Sequence, residues 1–252
     1  NNGPRMTALM QEWIPYLEST YNLGGEAEKR FLAGHSSGGW AAMWLQVKNP
    51  EFFGGAWPLA PDPLDFHHFQ TVDLYADGAN MYVDEEGNDR PIARNGHTPV
   101  LFAKDFVAMD DVLKDGGQIG SFEAVFSPKG EDGRPAAMFD RETGDVIPEV
   151  VEHWKQYDIR KYLEDNWETL SPKLAGKLNI VAGGLDTFYL EDAVIQLDKF
   201  FTAKEFDASV RVIENGNHGS VFRTSVVREI DESIAQKLAL PNVQNKAAKP
   251  PK

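Results

Sequence analysis

The 252-residue sequence predicts an α/β fold with one large core. Short apolar runs that end in glycine-rich turns alternate with segments whose apolar residues repeat at helical spacing, which is typical of alternating strands and helices. The composition is 42% hydrophobic and 11% aromatic, as in folded globular proteins. A chain of this length is long enough to bury such a core.

Charge and composition exclude several classes of function. A formal net charge of −14 disfavours a nucleic-acid partner, because an acidic surface repels phosphate backbones. The chain has no cysteine, which excludes disulfides, thiolate metal sites and cysteine nucleophiles. No apolar run reaches the roughly 18 residues that a membrane-spanning helix needs. The sequence indicates no cofactor and carries no signal of an oligomeric state.

The first predicted element is a helix that begins near Pro4 and ends within residues 22–25. Its apolar residues recur at helical spacing and form one face: Met6, Leu9, Met10, Trp13, Ile14 and Leu17. Pro15 lies inside this pattern and is expected to kink the helix, because proline has no backbone N–H. The chain opens with Asn1 and no methionine, so we expect it to be part of a longer product.

A strand, a sharp turn and a helix follow, and the turn contains a Gly-x-Ser-x-Gly pattern. The apolar run of residues 31–33 leads into Gly34 and Ser36, and a helix is predicted over residues 40–47. A serine at such a turn has a strained backbone and requires small residues two positions before and two positions after it. Gly34 and Gly38 meet that requirement, which selects Ser36 rather than Ser37 as the candidate nucleophile. The amide of Ser37 is then the expected donor to an oxyanion.

The next strand covers residues 55–60 and ends in the turn residues 61–63. From residue 64 to 166 the apolar periods are short and turn signals are frequent. We interpret this section as an insertion that lies over the mouth of the sheet, with a hairpin formed by residues 122–126 and 136–139 and a helix over 150–163.

The regular alternation returns after residue 166. Strands are predicted at residues 177–182 and 210–213, and helices at 191–201 and 221–238. The first of these strands ends in a turn that contains Asp186, and the second is followed by His218. Residues 241–252 are rich in Lys, Pro and Ala without an apolar period, so we expect them to be disordered.

Three side chains in this order match the requirements of acyl transfer by a serine. The nucleophile needs a base that takes its proton and an acid that orients the base. Ser36, Asp186 and His218 each follow a predicted strand, so we expect them at one edge of the sheet. Asp186 would hold Nδ1 of His218, and Nε2 would then face Ser36.

Each of these residues also has a structural interpretation. Capping of the helix that follows is the alternative role for Asp186, and a position in an exposed loop is the alternative for His218; the order of the three residues favours the catalytic interpretation of Asp186. Asp192 is a second candidate for the acid, although it lies inside a predicted helix. His67 and His68 lie near Asp62 and Asp65, but their spacing is not specific for a metal, and we predict no metal site.

Four residues beside the predicted triad are candidates for contact with substrate: His35, Trp40, Phe188 and Tyr189. They flank the candidate nucleophile and acid along the chain. For Trp40, packing in the core is an equally good interpretation.

The motifs around the three predicted catalytic residues resemble those of the putative-esterase branch of the α/β-hydrolase superfamily. They are the segments 34–40, 183–188 and 217–219. That branch includes esterase D-like enzymes, feruloyl and enterochelin esterases and mycolyltransferases. The resemblance covers about residues 1–63 and 167–238, and it implies an α/β-hydrolase sheet with an insertion between the sixth and seventh strands of the family. Because members are often exported, it also implies a secreted or periplasmic location.

The resemblance divides the chain into four parts. Residues 1–63 form a core segment with the serine turn, 64–166 an insertion or cap, 167–240 a core segment with the acid and histidine loops, and 241–252 a tail. Family members have further strands before the serine turn, and one of their loops supplies a second oxyanion amide. This chain is therefore expected to be the C-terminal part of an enzyme, with the strand before Ser36 at an edge of the sheet.

The function expected from the residues and the resemblance is a serine carboxylic-ester hydrolase that acts on a small-molecule ester through an acyl-enzyme. An acyltransferase or a serine peptidase with the same triad is the first alternative. A catalytically silent binding domain that retains the fold is the second.

Overall fold

The computed structural model describes residues 3–113 and 117–239. Its six strands are β1 (Phe31–His35), β2 (Gly55–Leu59), β3 (Pro91–Asn95), β4 (Thr98–Phe102), β5 (Asn179–Gly183) and β6 (Ser209–Ile213). The predicted disordered tail, residues 241–252, lies outside the described residues.

The α-helices of the described chain fall into three groups. Before the insertion lie α1 (Arg5–Ala8), α2 (Ile14–Tyr21) and α3 (Ser37–Lys48). The insertion contains α4 (Ala103–Leu113), α5 (Gly117–Phe126), α6 (Pro148–Trp154) and α7 (Ile159–Asp165). The last group is α8 (Trp167–Leu174), α9 (Glu191–Ala203) and α10 (Thr224–Lys237). None of these helices combines the length and apolarity that crossing a bilayer requires.

Four strands form a parallel sheet in the order β1-β2-β5-β6. Every residue of β2 is buried, as expected for a central parallel strand covered on both faces. β1 pairs with β2 and forms one edge of this sheet. The predicted fold class, α/β with a mostly parallel sheet, is confirmed.

The N-terminal helical segment is interrupted just before Pro15. A π-helical turn over Leu9–Trp13 separates α1 from α2, and Pro15 lies in the first turn of α2. The missing N–H of proline explains why the regular bonding pattern changes here rather than further along the segment. Neither helix has a buried residue, and the Trp13 side chain is 54% exposed.

The insertion differs from the sequence-based prediction in two places. Residues 122–126, predicted as a hairpin strand, belong to helix α5, because Ile119, Phe122 and Phe126 recur at helical spacing and pack against the core. The single helix predicted over residues 150–163 is two helices, α6 and α7. A 3-10 turn over Lys155–Tyr157 follows α6, and Asp158 then caps α7 by accepting a hydrogen bond from the Lys161 amide at 2.9 Å.

The hairpin of the insertion is formed instead by β3 and β4. Asn95 pairs with Thr98, which leaves a two-residue loop, and Gly96 at its first position has φ of +58°. Glycine adopts this conformation without steric cost, which explains the tight reversal.

One hydrophobic cluster joins the insertion to helix α3 and the sheet. It contains Met43 and Val47 of α3, Phe69 and Trp154 of the insertion, and Ile180 of β5. Trp154 is fully buried, and its indole N–H donates a hydrogen bond of 2.9 Å to the hydroxyl of Ser127. The insertion is therefore packed into the same core as the sheet.

Candidate active site

The carboxyl ends of four parallel strands bring four polar residues to one edge of the sheet. Ser36 follows β1, Asp62 follows β2, Asp186 follows β5 and His218 follows β6. The carboxyl edge of a parallel sheet is where ligands bind in open α/β proteins. This edge is therefore the candidate active site.

Ser36 occupies a sharp turn between β1 and α3. Its backbone has φ of 56° and ψ of −123°, a conformation that a residue with a side chain rarely adopts. The Ser36 amide donates to the carbonyl of Leu59 at 2.9 Å, and its carbonyl accepts from the amides of Trp40 at 3.0 Å and Asp62 at 3.1 Å. These bonds to β2, its following turn and α3 hold the turn in place.

The two glycines around Ser36 play different parts. A Cβ atom at Gly34 would lie 2.0 Å from the carbonyl oxygen of Gly38, whereas a Cβ atom at Gly38 would meet no atom within 4 Å. The predicted need for a small residue is therefore seen at Gly34 and not at Gly38. Gly34 lets the end of β1 pass directly against the first turn of α3.

Asp186 and His218 meet across the ends of β5 and β6. Nδ1 of His218 lies 2.9 Å from Oδ2 of Asp186, although the two residues are 32 positions apart. Asp186 is fully buried, and its Oδ1 accepts the amide of Phe188 at 2.9 Å. The helix that follows, α9, has Leu190 at its N-cap position without a side-chain cap bond, so Asp186 does not cap it.

The Ser36 hydroxyl contacts a carboxylate that the sequence did not single out for catalysis. Ser36 Oγ lies 3.3 Å from Oδ1 of Asp62, and Ser37 Oγ lies 2.5 Å from Oδ2 of the same side chain. Within the described chain, Ser36 has no hydrogen bond to His218. Burial raises the pKa of Asp62, while the hydrogen bonds from Ser37 and Ser36 act in the opposite direction.

Of the four predicted substrate-contact residues, only Phe188 lines the cavity beside Ser36, and its ring packs edge-on against His218 with centroids 5.0 Å apart. His35 instead supports the His218 loop, with Nε2 3.1 Å from the His218 carbonyl oxygen, and burial lowers the pKa of His35. Trp40 is buried in the core and stacks on Trp44. Tyr189 packs under the guanidinium of Arg94, 4.4 Å from the ring centroid.

A cavity of about 340 Å³ opens beside Ser36 and Asp62. Its walls come mainly from the insertion. The lining residues are Ser36, Asp62, Pro63, Gln70, Ile92, Ala93, Leu101, Phe106, Gln118, Ile119, Phe122, Phe188 and Leu190. Most of these side chains are apolar, so the cavity suits an apolar group bound beside Ser36.

Arg94 of the β3–β4 hairpin fastens the insertion to the loop that carries Asp186. Its Nε donates to the Asp186 carbonyl at 2.9 Å, and its guanidinium forms an ion pair with Glu191. Burial raises the pKa of Glu191, and the charge of Arg94 opposes that rise. No sequence pattern predicts this contact, because Arg94 lies 92 positions from Asp186.

The histidine and aspartate residues considered as metal ligands are arranged for other contacts. His67 Nδ1 lies 3.0 Å from the carboxylate of Asp73, and Asp65 accepts the amide of His67 at 3.0 Å. Asp62 is bound to the two serines.

A family model described as "Putative esterase" matches residues 5–227. The chain belongs to the putative esterase family. This membership agrees with the resemblance that the three motifs carry, and the α/β fold with a parallel sheet is the one expected for it. A comparison with curated proteins finds no match.

Solved structures similar to this member of the family include three hydrolases. A ferulic acid esterase is 15% identical with a TM-score of 0.51, and the match covers 92% of this chain and 60% of that one. FphF, a fluorophosphonate-binding serine hydrolase of Staphylococcus aureus, is 14% identical with a TM-score of 0.47, over 90% and 63% of the two chains. A monoacylglycerol lipase of Paleococcus ferrophilus is 14% identical with a TM-score of 0.39, over 91% and 75%. The chain thus spans about three fifths of the length of the ferulic acid esterase.

Proposed function

We propose that this chain carries the catalytic residues of a carboxylic-ester hydrolase, with Ser36 as nucleophile, His218 as general base and Asp186 as the acid that orients it. The observation that carries the proposal is the 2.9 Å contact between His218 Nδ1 and buried Asp186, at the edge of the sheet where Ser36 occupies a strained turn. Membership of the esterase family supports the reaction class.

The geometry supports a two-step mechanism. Asp186 binds Nδ1 of His218 and so leaves Nε2 free to accept the Ser36 proton. Ser36 Oγ then attacks the ester carbonyl carbon, and the resulting oxyanion faces the Ser37 amide, the first amide of α3. His218 returns the proton to the departing alkoxide. Water, activated by the same imidazole, breaks the acyl–Ser36 bond and releases the carboxylic acid.

The cavity favours neutral esters with an apolar group. Phe122, Phe188 and Leu101 supply apolar walls next to the nucleophile. A net charge of −14 disfavours the approach of anionic esters. We therefore expect p-nitrophenyl butyrate to be a better substrate than a p-nitrophenyl ester whose acyl chain carries a carboxylate.

Comparison of Ser36→Ala with Ser37→Ala tests the nucleophile. Ser36→Ala is expected to lower turnover of p-nitrophenyl butyrate by roughly 10³-fold or more. A fluorophosphonate probe should modify residue 36 in the wild type and in Ser37→Ala, because that variant keeps the nucleophile and the backbone amide. Peptide mass spectrometry identifies the modified residue. Unchanged turnover in Ser36→Ala, or a label on another residue, would refute the proposal.

A further inference from the structure

Asp62 is a buried acidic group beside the nucleophile that the two-step mechanism does not use. Its side chain is 6% exposed and contributes to the wall of the cavity next to Ser36. Each of its carboxyl oxygens accepts a hydrogen bond from one of two consecutive serine hydroxyls. Oδ1 accepts from Ser36 Oγ at 3.3 Å, and Oδ2 accepts from Ser37 Oγ at 2.5 Å. The Asp62 amide also donates to the Ser36 carbonyl at 3.1 Å, which fixes this loop against the serine turn.

These contacts set Asp62 in competition with His218. The Ser36 hydroxyl has a single proton, and general-base catalysis requires that proton to point at Nε2 of His218. In the described structure the hydroxyl instead has Asp62 as its partner. An ionised carboxylate accepts such a bond more strongly than a neutral acid does. The ionised carboxylate of Asp62 also places a negative charge next to Ser36 Oγ. That charge repels the negative charge that develops on the ester oxygen when Oγ attacks.

We propose that Asp62 is a positioning residue that controls the nucleophile: its carboxylate holds the Ser36 hydroxyl away from His218, and its neutral acid releases it. This inference rests on the proposed function of Ser36 and His218. In the state with ionised Asp62, all three catalytic residues are in place, but the Ser36 hydroxyl is hydrogen-bonded to Asp62 and not to His218.

Three titratable side chains on the neighbouring loops act on Asp62 or respond to its charge. A charge on His218 favours ionised Asp62, whereas the charge of Asp186 opposes ionisation. His35 is influenced by the charge of Asp62 in turn. Burial is the largest influence, and it raises the pKa of Asp62. Asp62 therefore stays neutral up to a higher pH than an exposed aspartate does. Above its raised pKa, the ionised carboxylate holds the Ser36 hydroxyl away from His218.

The test compares the rate of fluorophosphonate labelling at residue 36 in the wild type and in Asp62→Asn, from pH 4 to pH 9. The variant keeps the shape of the side chain and removes its charge. Both proteins retain His218, so the requirement for the base is common to the two rates. We expect a ratio near one at low pH, where Asp62 is neutral. The ratio should rise to about tenfold or more in favour of Asp62→Asn above the pKa of Asp62.

A second variant tests the same inference with Asp62 in place. Ser37→Ala removes the 2.5 Å hydrogen bond that favours the ionised form. The pKa of Asp62 should therefore rise, and the pH above which ionised Asp62 slows the labelling of residue 36 should move upward. Asp65→Asn is the matched control, because Asp65 is similarly buried but bonds the His67 amide instead of the serines. It should label like the wild type at every pH.

The outcomes separate this inference from the proposed function. Labelling of residue 36 with a ratio that stays constant with pH, or that favours the wild type at high pH, would overturn the role of Asp62 and leave the nucleophile intact. If circular dichroism shows that Asp62→Asn does not fold, Ser37→Ala provides the test. A pH dependence of labelling in Ser37→Ala that is the same as in the wild type would then overturn the role of Asp62. Absence of label at residue 36 in all proteins at every pH would overturn the proposed function and this inference together.

Discussion

Replacing Gly34 by alanine should disrupt the serine turn, and replacing Gly38 should not. A Cβ at position 34 would lie 2.0 Å from the Gly38 carbonyl oxygen, where ordinary contact begins at 3.4 Å, so the two atoms would overlap by about 1.4 Å. The atoms in the way are backbone, and no side chain can rotate to relieve the clash. Overpacking costs of 1–3 kcal/mol are typical, so we expect Gly34→Ala to lose about 3 kcal/mol of unfolding free energy or more.

Gly38→Ala is the matched control, because its Cβ would meet nothing within 4 Å and its φ is not positive. Alanine at such a position stabilises a protein by about 0.4–1 kcal/mol. Urea unfolding followed by tryptophan fluorescence measures both changes, and fluorophosphonate labelling reports whether Ser36 is still presented. If Gly34→Ala unfolds within 1 kcal/mol of the wild type and labels at the same rate, the close approach of β1 to α3 is not as described.

Three further predictions follow from buried side chains. Trp154→Ala should lower the unfolding free energy by about 3–5 kcal/mol in urea titrations, since it empties the centre of the aromatic core; a loss below 1 kcal/mol would contradict that packing. Asp186→Asn should lower kcat for p-nitrophenyl butyrate by roughly 10⁴-fold with little change in KM, because the imidazole loses the partner that selects its tautomer. An unaltered kcat would exclude Asp186 as the orienting acid. For Asp62, the raised pKa means that the folded state holds the proton more tightly than the unfolded state. The stabilising contribution of Asp62 is therefore complete below the unfolded pKa of about 3.9 and is lost as pH rises through the folded pKa. The unfolding free energy of Asp62→Asn minus that of the wild type should accordingly increase over this window in urea titrations, and a difference that is independent of pH would contradict the effect of burial.

The sequence predicts the fold best where the signals are local. The strands at 55–59 and 179–183 are apolar runs bounded by glycine or proline, and a parallel sheet buries such runs on both faces. The strand before Ser36 is a similar apolar run that leads into Gly34, although it lies at an edge of the sheet and is only partly buried. The common location of Ser36, Asp186 and His218 is also predictable from the sequence, because each follows a strand and the carboxyl ends of parallel strands meet at one edge. Their catalytic roles stay a prediction.

The insertion was harder to predict because its elements are decided by tertiary contacts. Phe122, Val125 and Phe126 are residue types that also suit a strand, and the helical conformation of this segment brings Phe126 against Trp154 and against Trp40 of α3. The sequence does not mark Asp62 as a site residue beside Ser36, because Pro61-Asp62-Pro63 has the composition of an ordinary turn. The one available signal was that Asp62 follows a buried strand in the same way as Asp186 does.

The contact of Arg94 has a consequence for any attempt to change the lining of the cavity beside Ser36. The hairpin that carries it also supplies Ile92, Ala93 and Leu101 to the wall of the cavity. A transplanted hairpin without an arginine at position 94 would release the Asp186 carbonyl and leave Glu191 buried without its counter-charge. The lining of the cavity and the support of the Asp186 loop are thus not independently exchangeable in this protein, and a redesigned cavity would need to conserve an arginine at position 94 whatever else is replaced around it.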